Sequence, residues 1–436
     1  MRHSQRGALA VLCASVLALG ACGSDDEKTT SSAASSGDAT STETAATSSS
    51  GAASQATVDV TSKFIGGTPG KADASKSPVV IGVVNQEGAT PSFPEYLKIA
   101  EATAKLINGQ LGGIGGHPVK IEPCIVQSEE DGQRCAADFV AKKVDVAVLT
   151  LLVLGNQSFY KTVGGKFPVL NSVAATGPDT TSPHVYNLDG GSGAVLNGVA
   201  VRATADGAKK IAILTPDNDA GRNTGGTILE PALKKLGATG KTAYFPEAAT
   251  GPEMVQALQA AGAKDADRIV IQPSSGAQCD AIFAGMQQLG IQKPVITNPI
   301  CTSGNILKSS PDKLDGLELV TFTGDTRVKS DTEAQAFKDA MDAYGAGKYV
   351  LTGYVGKTFS DVLAIAKFGN EIGADKLSPA AYEQAITTFK GPAFDIPGEM
   401  QCGHDKTQIG VCGFYSVVTQ FKGGTWNALE PVKNGG

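Results

Sequence analysis

Histidine is nearly absent from this sequence, tryptophan occurs once, and aromatic residues make up 6% of the 436 positions. The four histidines, His3, His117, His184 and His404, stand far apart and no two cysteines have C-x-x-C spacing. A zinc cluster or a redox dithiol therefore lacks its ligands, and neither a metal nor a cofactor is expected. No long basic block and no interleaving of basic with aromatic residues is present, and the formal charge is −6. That argues against a nucleic-acid partner. Beyond the first 20 residues no apolar run is long enough to cross a bilayer. Catalytic apparatus is missing too. Gly356-Lys357-Thr358 has Leu351 where a phosphate loop needs its first glycine. The run 112–116 follows a helix and precedes a strand, the reverse of a dinucleotide fingerprint. Gly190-Gly191-Ser192-Gly193 is no nucleophile elbow. No catalytic residue is expected, and an amide or ester hydrolase would need a nucleophile and base that cannot be paired.

What is present begins with a leader. Arg2 and Arg6 precede an apolar run over 8–19, followed by small residues, which is the layout of an export signal over 1–21. About a dozen apolar residues span roughly 18 Å as a helix, short of the ~30 Å bilayer core. Leu19-Gly20-Ala21-Cys22 resembles the lipobox of bacterial lipoproteins. The resemblance implies cleavage before Cys22 and acyl chains, palmitate among them, on that residue. Two or three chains make a firm anchor where one does not. The charge of the mature chain then falls to −8.

Of eight cysteines, Cys13 leaves with the leader and Cys22 takes lipid. An exported chain favours disulfides among the other six. Fifteen connectivities are open. Local pairing, Cys124 with Cys135, Cys279 with Cys301 and Cys402 with Cys412, is the expectation, each short loop adding about 3 kcal/mol.

From 22 to 76 the chain is Ser, Thr, Ala, Gly and Asp with scarcely any large apolar residue, so a flexible tether is expected there, spanning about 40 Å. At Pro78 the pattern changes. Val79-Val80-Ile81-Gly82-Val83-Val84 reads as a buried parallel strand. Ser92 and Glu95 suggest a capping box for a helix carrying Leu97, Ala100, Ala104 and Ile107 on one face. The alternation continues with strands at 119–126, 144–149 and 168–172 and helices at 133–142 and 159–164. A second series runs through helices at 194–206, 225–236, 254–261 and 278–289 and strands at 210–214, 241–245, 268–271 and 294–296. Then come a strand at 317–323, helices at 332–344, 355–368 and 379–389, and a closing hairpin around Gly423-Gly424. This predicts an α/β fold of two Rossmann-like doubly wound lobes with a hairpin-like tail. The lobes are expected to comprise 77–190 with 324–392, and 191–323 with 393–436. Three crossings, near 189–193, 323–326 and 390–396, would form the hinge.

The order of elements from Val79 to about Leu429 resembles a type I periplasmic binding protein of the leucine/isoleucine/valine-binding group, the solute receptors of ABC importers. The likeness is carried by Leu111-Gly112-Gly113-Ile114-Gly115-Gly116-His117-Pro118-Val119-Lys120, by Phe167-Pro168-Val169-Leu170-Asn171-Ser172 with Ala174-Ala175-Thr176, by Asp217-Asn218-Asp219-Ala220-Gly221-Arg222, and by Leu289-Gly290-Ile291 with Lys293-Pro294. It implies a monomeric receptor on the outer face of the cell membrane. Such a receptor closes on a small polar solute (an amino acid, amide or related carboxylate) and passes it to permease subunits. A tethered sensor serving a signalling partner is the alternative. The implied ligand set is Asn85, Gln86, Glu87 and Ser92, then Gly155, Asn156, Gln157 and Ser158, then Ala174, Ala175 and Thr176, with Asp219, Ala220, Ser275 and Asn298 from the second lobe. Where amino-acid receptors of the group carry an acid for the ligand ammonium, this chain has Thr297-Asn298-Pro299, and their ligand-loop aromatic is Ala220. A plain leucine-type ligand is therefore not expected.

Overall fold

The computed structural model describes residues 51–303, 305 and 314–433. The leader, Cys22 and the first part of the expected tether lie outside them.

The first sheet contains β1 (Val79–Gln86), β2 (Val119–Val126), β3 (Val146–Leu151), β4 (Val169–Val173) and β5 (Val185–Tyr186), all parallel in the order β2-β1-β3-β4-β5. Successive side chains on a strand point to opposite faces, and here both faces are covered. Ile81 and Val83 of β1 join one buried cluster and Val84 another, and Val148 and Leu149 of β3 divide the same way. The helices Pro94–Gln110 and Val355–Ile372 pack together, the latter also on β3 and β4. Phe139, from Glu129–Ala141, lies against β1 at Gly82, where a Cβ would come within 2.6 Å of its ring.

The second sheet contains β6 (Lys210–Pro216), β7 (Thr239–Phe245), β8 (Arg268–Ile271), β9 (Val295–Thr297), β10 (Glu318–Thr321), β11 (Tyr415–Lys422) and β12 (Thr425–Lys433), in the order β12-β11-β10-β9-β8-β6-β7. β11 and β12 are antiparallel, so the tail hairpin turns at Gly423-Gly424 and extends this sheet. The helix Gly191–Ala203 packs on β10 and β11, with Gly198 bringing it close to Ser416. Glu318, 1% exposed, receives both Nε and Nη2 of Arg202 at 2.8 and 2.7 Å, with Arg268 at 3.7 Å. The structure bridges Cys124–Cys135, Cys279–Cys301 and Cys402–Cys412.

Several expectations are corrected. The flexible tether does not reach residue 76, because Gln55–Ile65 is a helix capped by Ser54 and ended by left-handed Gly66. Its buried face is Thr57, Val58, Thr61, Ser62 and Ile65, a helical spacing in which Thr and Ser fill three of the five apolar slots. That substitution hid the stripe from composition. Asp339 holds the Ser54 amide and the Thr57 hydroxyl, each at 2.7 Å, and residues 70–73 run on against the 108–116 turn. Ser92 does not cap its helix, which starts at Pro94; its hydroxyl accepts the Gly88 amide instead. The third helix begins earlier than expected, at Glu129, through a Ser128–Asp131 capping box. The expected 225–236 helix starts at Asp219 and passes through a π turn, Asn223–Leu229.

Candidate ligand cleft

The chain leaves the first sheet after β5 and the second after β10, in both cases from the carboxyl end of a strand. The carboxyl ends of both sets of parallel strands therefore flank the crossings, where doubly wound sheets place their ligands. Thr302, just after β9, donates to the Leu351 carbonyl at 3.0 Å, and the Tyr354 amide donates to the Tyr96 hydroxyl at 3.3 Å. Phe93 packs edge-on against Tyr96, and Phe322 packs the same way against Tyr354.

At the carboxyl end of β1, Asn85 and Gln86 are fully buried. Asn85 donates to the Phe93 carbonyl and accepts from Thr150. Gln86 donates to the Pro91 carbonyl and accepts the Val153 and Leu154 amides. Both side chains brace loops. Glu87 is half-buried and forms no ion pair among the described residues, and burial followed by its proximity pushes the Glu95 carboxyl up.

After β3, Gly155 adopts φ 76° and precedes the helix Asn156–Val163. Gly132 approaches so closely that a Cβ there would stand 1.8 Å from the Gly155 carbonyl oxygen. The approach brings in Glu129, whose two oxygens accept the Gly155 amide at 2.7 Å and the Ser158 amide at 3.0 Å. The Ser158 hydroxyl donates to the Glu129 and Gly155 carbonyls. Gln157 is exposed.

After β4, Asp179 organises the turn. It is 1% exposed, and one oxygen accepts the Ala175 and Thr176 amides at 2.9 and 2.7 Å and the Thr176 hydroxyl at 3.1 Å. The other accepts the Asn156 amide group at 3.0 Å and the Tyr160 hydroxyl at 2.7 Å. Burial pushes this carboxyl up, while the bonds from Tyr160, Thr176 and Asn156 pull it down. Ala174 is buried, its carbonyl taken by Ser192.

In the second lobe Asp219 and Ala220 are exposed, and Ser275 caps the helix Gly276–Gln288. Asn298 is buried, accepts the Ile300 amide of its own loop and ties that loop to the one after β8 by donating to the Pro273 carbonyl. Glu247 ties together three strand ends by accepting from Asn218, Ser274 and Gln278. At the first crossing, Lys357 is fully buried, paired with Asp361 on its own helix and 3.5 Å from Asp189, whose other oxygen accepts the Gly191 amide.

Sequence reasoning missed Glu129, Asp179, Glu247 and the Lys357 cluster. The local spacings Thr176-x-x-Asp179 and Lys357-x-x-x-Asp361 were readable signals; Glu129 and the approach of Asp189 to Lys357 gave none, because those partners are distant in sequence. Cavities of about 620 Å³ beside Phe283 and Met286 and about 610 Å³ beside Phe64 and Lys367 lie away from all of these residues. Among the described residues no cluster of His, Cys, Asp or Glu suits a metal ion, and no helix is long and apolar enough to cross a membrane.

A family model described as periplasmic binding protein matches residues 78–422. Among solved structures, an ABC transporter substrate-binding protein from Sphaerobacter thermophilus aligns at 17% identity and a TM-score of 0.65, covering 82% of this chain and 98% of its own. A solute-binding protein from R. palustris in complex with 4-hydroxybenzoate aligns at 18% and 0.63, covering 82% and 98%. A leucine-binding protein from Thermotoga maritima aligns at 14% and 0.59, covering 81% and 99%. Comparison with curated proteins finds no match.

Proposed function

Because the chain belongs to the family of periplasmic binding proteins, we propose that it is an extracytoplasmic solute receptor that closes its two lobes on a small polar organic ligand and delivers it to an ABC permease. The observation that carries this reading is the family match over 78–422, coinciding with two sheets whose strand ends flank the same crossings. Lobes joined by a few crossing segments close by hinge motion, the crossings absorbing the rotation. Glu87, Gln157, Thr176, Asp219, Ala220 and Ser275, all at least partly exposed at strand ends, form the proposed ligand-facing set. Asn85, Gln86 and Asn298 act behind it by holding the loops. Related receptors bind leucine and 4-hydroxybenzoate, so the ligand belongs among small amino acids, amides and carboxylates.

We further propose that Cys22 carries the lipid anchor and that the residues between it and Ser54 are the tether. Replacing Cys22 by Ala should then release the protein from the membrane fraction, and mass spectrometry of the wild-type N-terminal peptide should find acyl chains. The receptor reading is tested by a thermal-shift panel of amino acids, amides and aromatic acids on the full chain. A ligand at 100 times its dissociation constant stabilises by about 2.7 kcal/mol. Failure of every small solute to move the melting temperature would refute it.

A further inference from the structure

The last passage from the first sheet into the second lies later than the expected 390–396. Val411 pairs in parallel with Asn187, so residues 410–413 run beside 187–189. The Asn187 amide donates to the Gly410 carbonyl at 2.8 Å, the Cys412 amide to the Asn187 carbonyl at 3.0 Å, and the Gly413 amide to the Asp189 carbonyl at 2.8 Å. One of these passages leads into the helix Gly191–Ala203 and the other into β11, which pack on each other. Two of the connections between the sheets therefore form one two-stranded ribbon.

Each strand of the ribbon is fastened where it leaves the first sheet. Lys357, on a helix packed against β3 and β4, holds Asp189 at 3.5 Å. The other strand is held by the Cys402–Cys412 bridge and by the Gln401 amide, which donates to the Cys412 carbonyl at 2.6 Å. The Cys402 sulfur lies 3.7 Å from the Ile386 carbonyl oxygen of the helix Pro379–Thr388, so the bridge ties the ribbon to that helix. Beyond these fastenings come glycines. Gly190 and Gly191, the latter at φ 67°, face Gly413, where a Cβ would stand 2.7 Å from the Asp189 carbonyl carbon. Bending is thereby confined to a few residues past the bridge, as in a hinge. The bridge is also the one that solvent reaches most readily. Cys124, Cys135, Cys279, Cys301 and Cys412 are at most 6% exposed, whereas Cys402 is partly exposed. Thiol exchange requires access to a sulfur.

We propose that the Cys402–Cys412 bridge is a redox-sensitive lock on the hinge, opened by a small external thiol that reduces it ahead of the other two bridges and frees the ribbon to bend. The thiolate attacks the Cys402 sulfur, the bond between the two sulfurs breaks, and Cys412 leaves as a thiolate that takes up a proton. A second external thiolate then displaces Cys402 from the mixed disulfide. The bridge gains two electrons and the external thiols leave joined as a disulfide. The proposal rests on the receptor reading, in which closure of the lobes bends this ribbon.

The test is titration of the full wild-type chain with dithiothreitol, freed thiols being alkylated and mapped by mass spectrometry. Cys402 and Cys412 should be labelled at reductant concentrations that leave the other four bridged cysteines unlabelled. Hydrogen exchange of the chain reduced to that extent should then quicken at least ten-fold at the Cys412 and Gly413 amides and, across the ribbon, at those of Asn187 and Gly191. Re-oxidation should restore the slow rates, and a Cys402→Ser, Cys412→Ser double variant should exchange fast at all four with or without thiol. Earlier or simultaneous reduction of another bridge overturns the inference. So does quickening confined to residues 401–413, which would make the bridge a staple of its own loop. Since no solute is used, any of these failures leaves the receptor reading standing, and a solute panel in which nothing binds refutes that reading separately.

Discussion

Replacing Asp361 by Asn should make the protein relatively more stable as pH rises. Asp361 is fully buried, and one of its oxygens meets Lys357. Burial pushes its carboxyl from the ordinary 3.8 up to about 6, against the pull of Lys357. The folded chain thus binds this proton more tightly than the unfolded chain, and between those two values the folded state holds more protons. Stability from this group is therefore complete at low pH and falls as pH rises towards about 6. A difference of about two pKa units corresponds to a penalty on the order of 3 kcal/mol above pH 6. Asn keeps the shape and cannot ionise. Urea unfolding of wild type and Asp361→Asn, followed by circular dichroism at about pH 4 and about pH 7.5, should show the stability difference moving by that amount in favour of the variant at the higher pH. An offset constant to within about 0.5 kcal/mol would mean that Asp361 does not titrate against a buried environment, and the reasoning would fail.

Other changes read other parts of the molecule. Ile65→Ala, at a fully buried position of the N-terminal helix, should cost about 2–5 kcal/mol in urea unfolding and expose residues 53–72 to limited proteolysis; a cost near zero would mean the helix is not docked. Glu318→Gln leaves Arg202 and Arg268 facing an uncharged group and should cost about 3 kcal/mol, lost equally in unfolding followed by fluorescence of Trp426. Gly132→Ala sets a Cβ against the Gly155 carbonyl; the backbones must part, so the melting temperature should drop and the Gly155 amide should lose protection from hydrogen exchange. Peptide mapping without reduction should recover Cys124–Cys135, Cys279–Cys301 and Cys402–Cys412 as the three bridges.

Much of the architecture was legible because parallel strands buried on both faces must be apolar runs, and Val79 to Val84 is one without a charge. Turn chemistry was legible where it is local, as with Gly423-Gly424 between β11 and β12. Helix starts were read less well. Ser92 looked like a cap and spends its hydroxyl on the Gly88 amide, while Ser128, passed over, caps its helix. The helix at Gln55–Ile65 was invisible to composition, because Thr61 and Ser62 stand where apolar residues would have betrayed a stripe.

The sequence by itself determined the alternation of strand and helix and the loops that end at the cleft, since each depends on residues within about a dozen positions of one another; it suggested the cysteine couples, whose partners stand 10 to 22 positions apart. Tertiary structure decided what those loops can do. Glu129 reaches the Gly155 amide across 26 positions, and Lys357 meets Asp189 across more than 160, once strands and helices have folded around them. Whether a backbone amide is free for a ligand or already held by a carboxylate depends on such distant partners, and the periodicity of the chain carries no record of them.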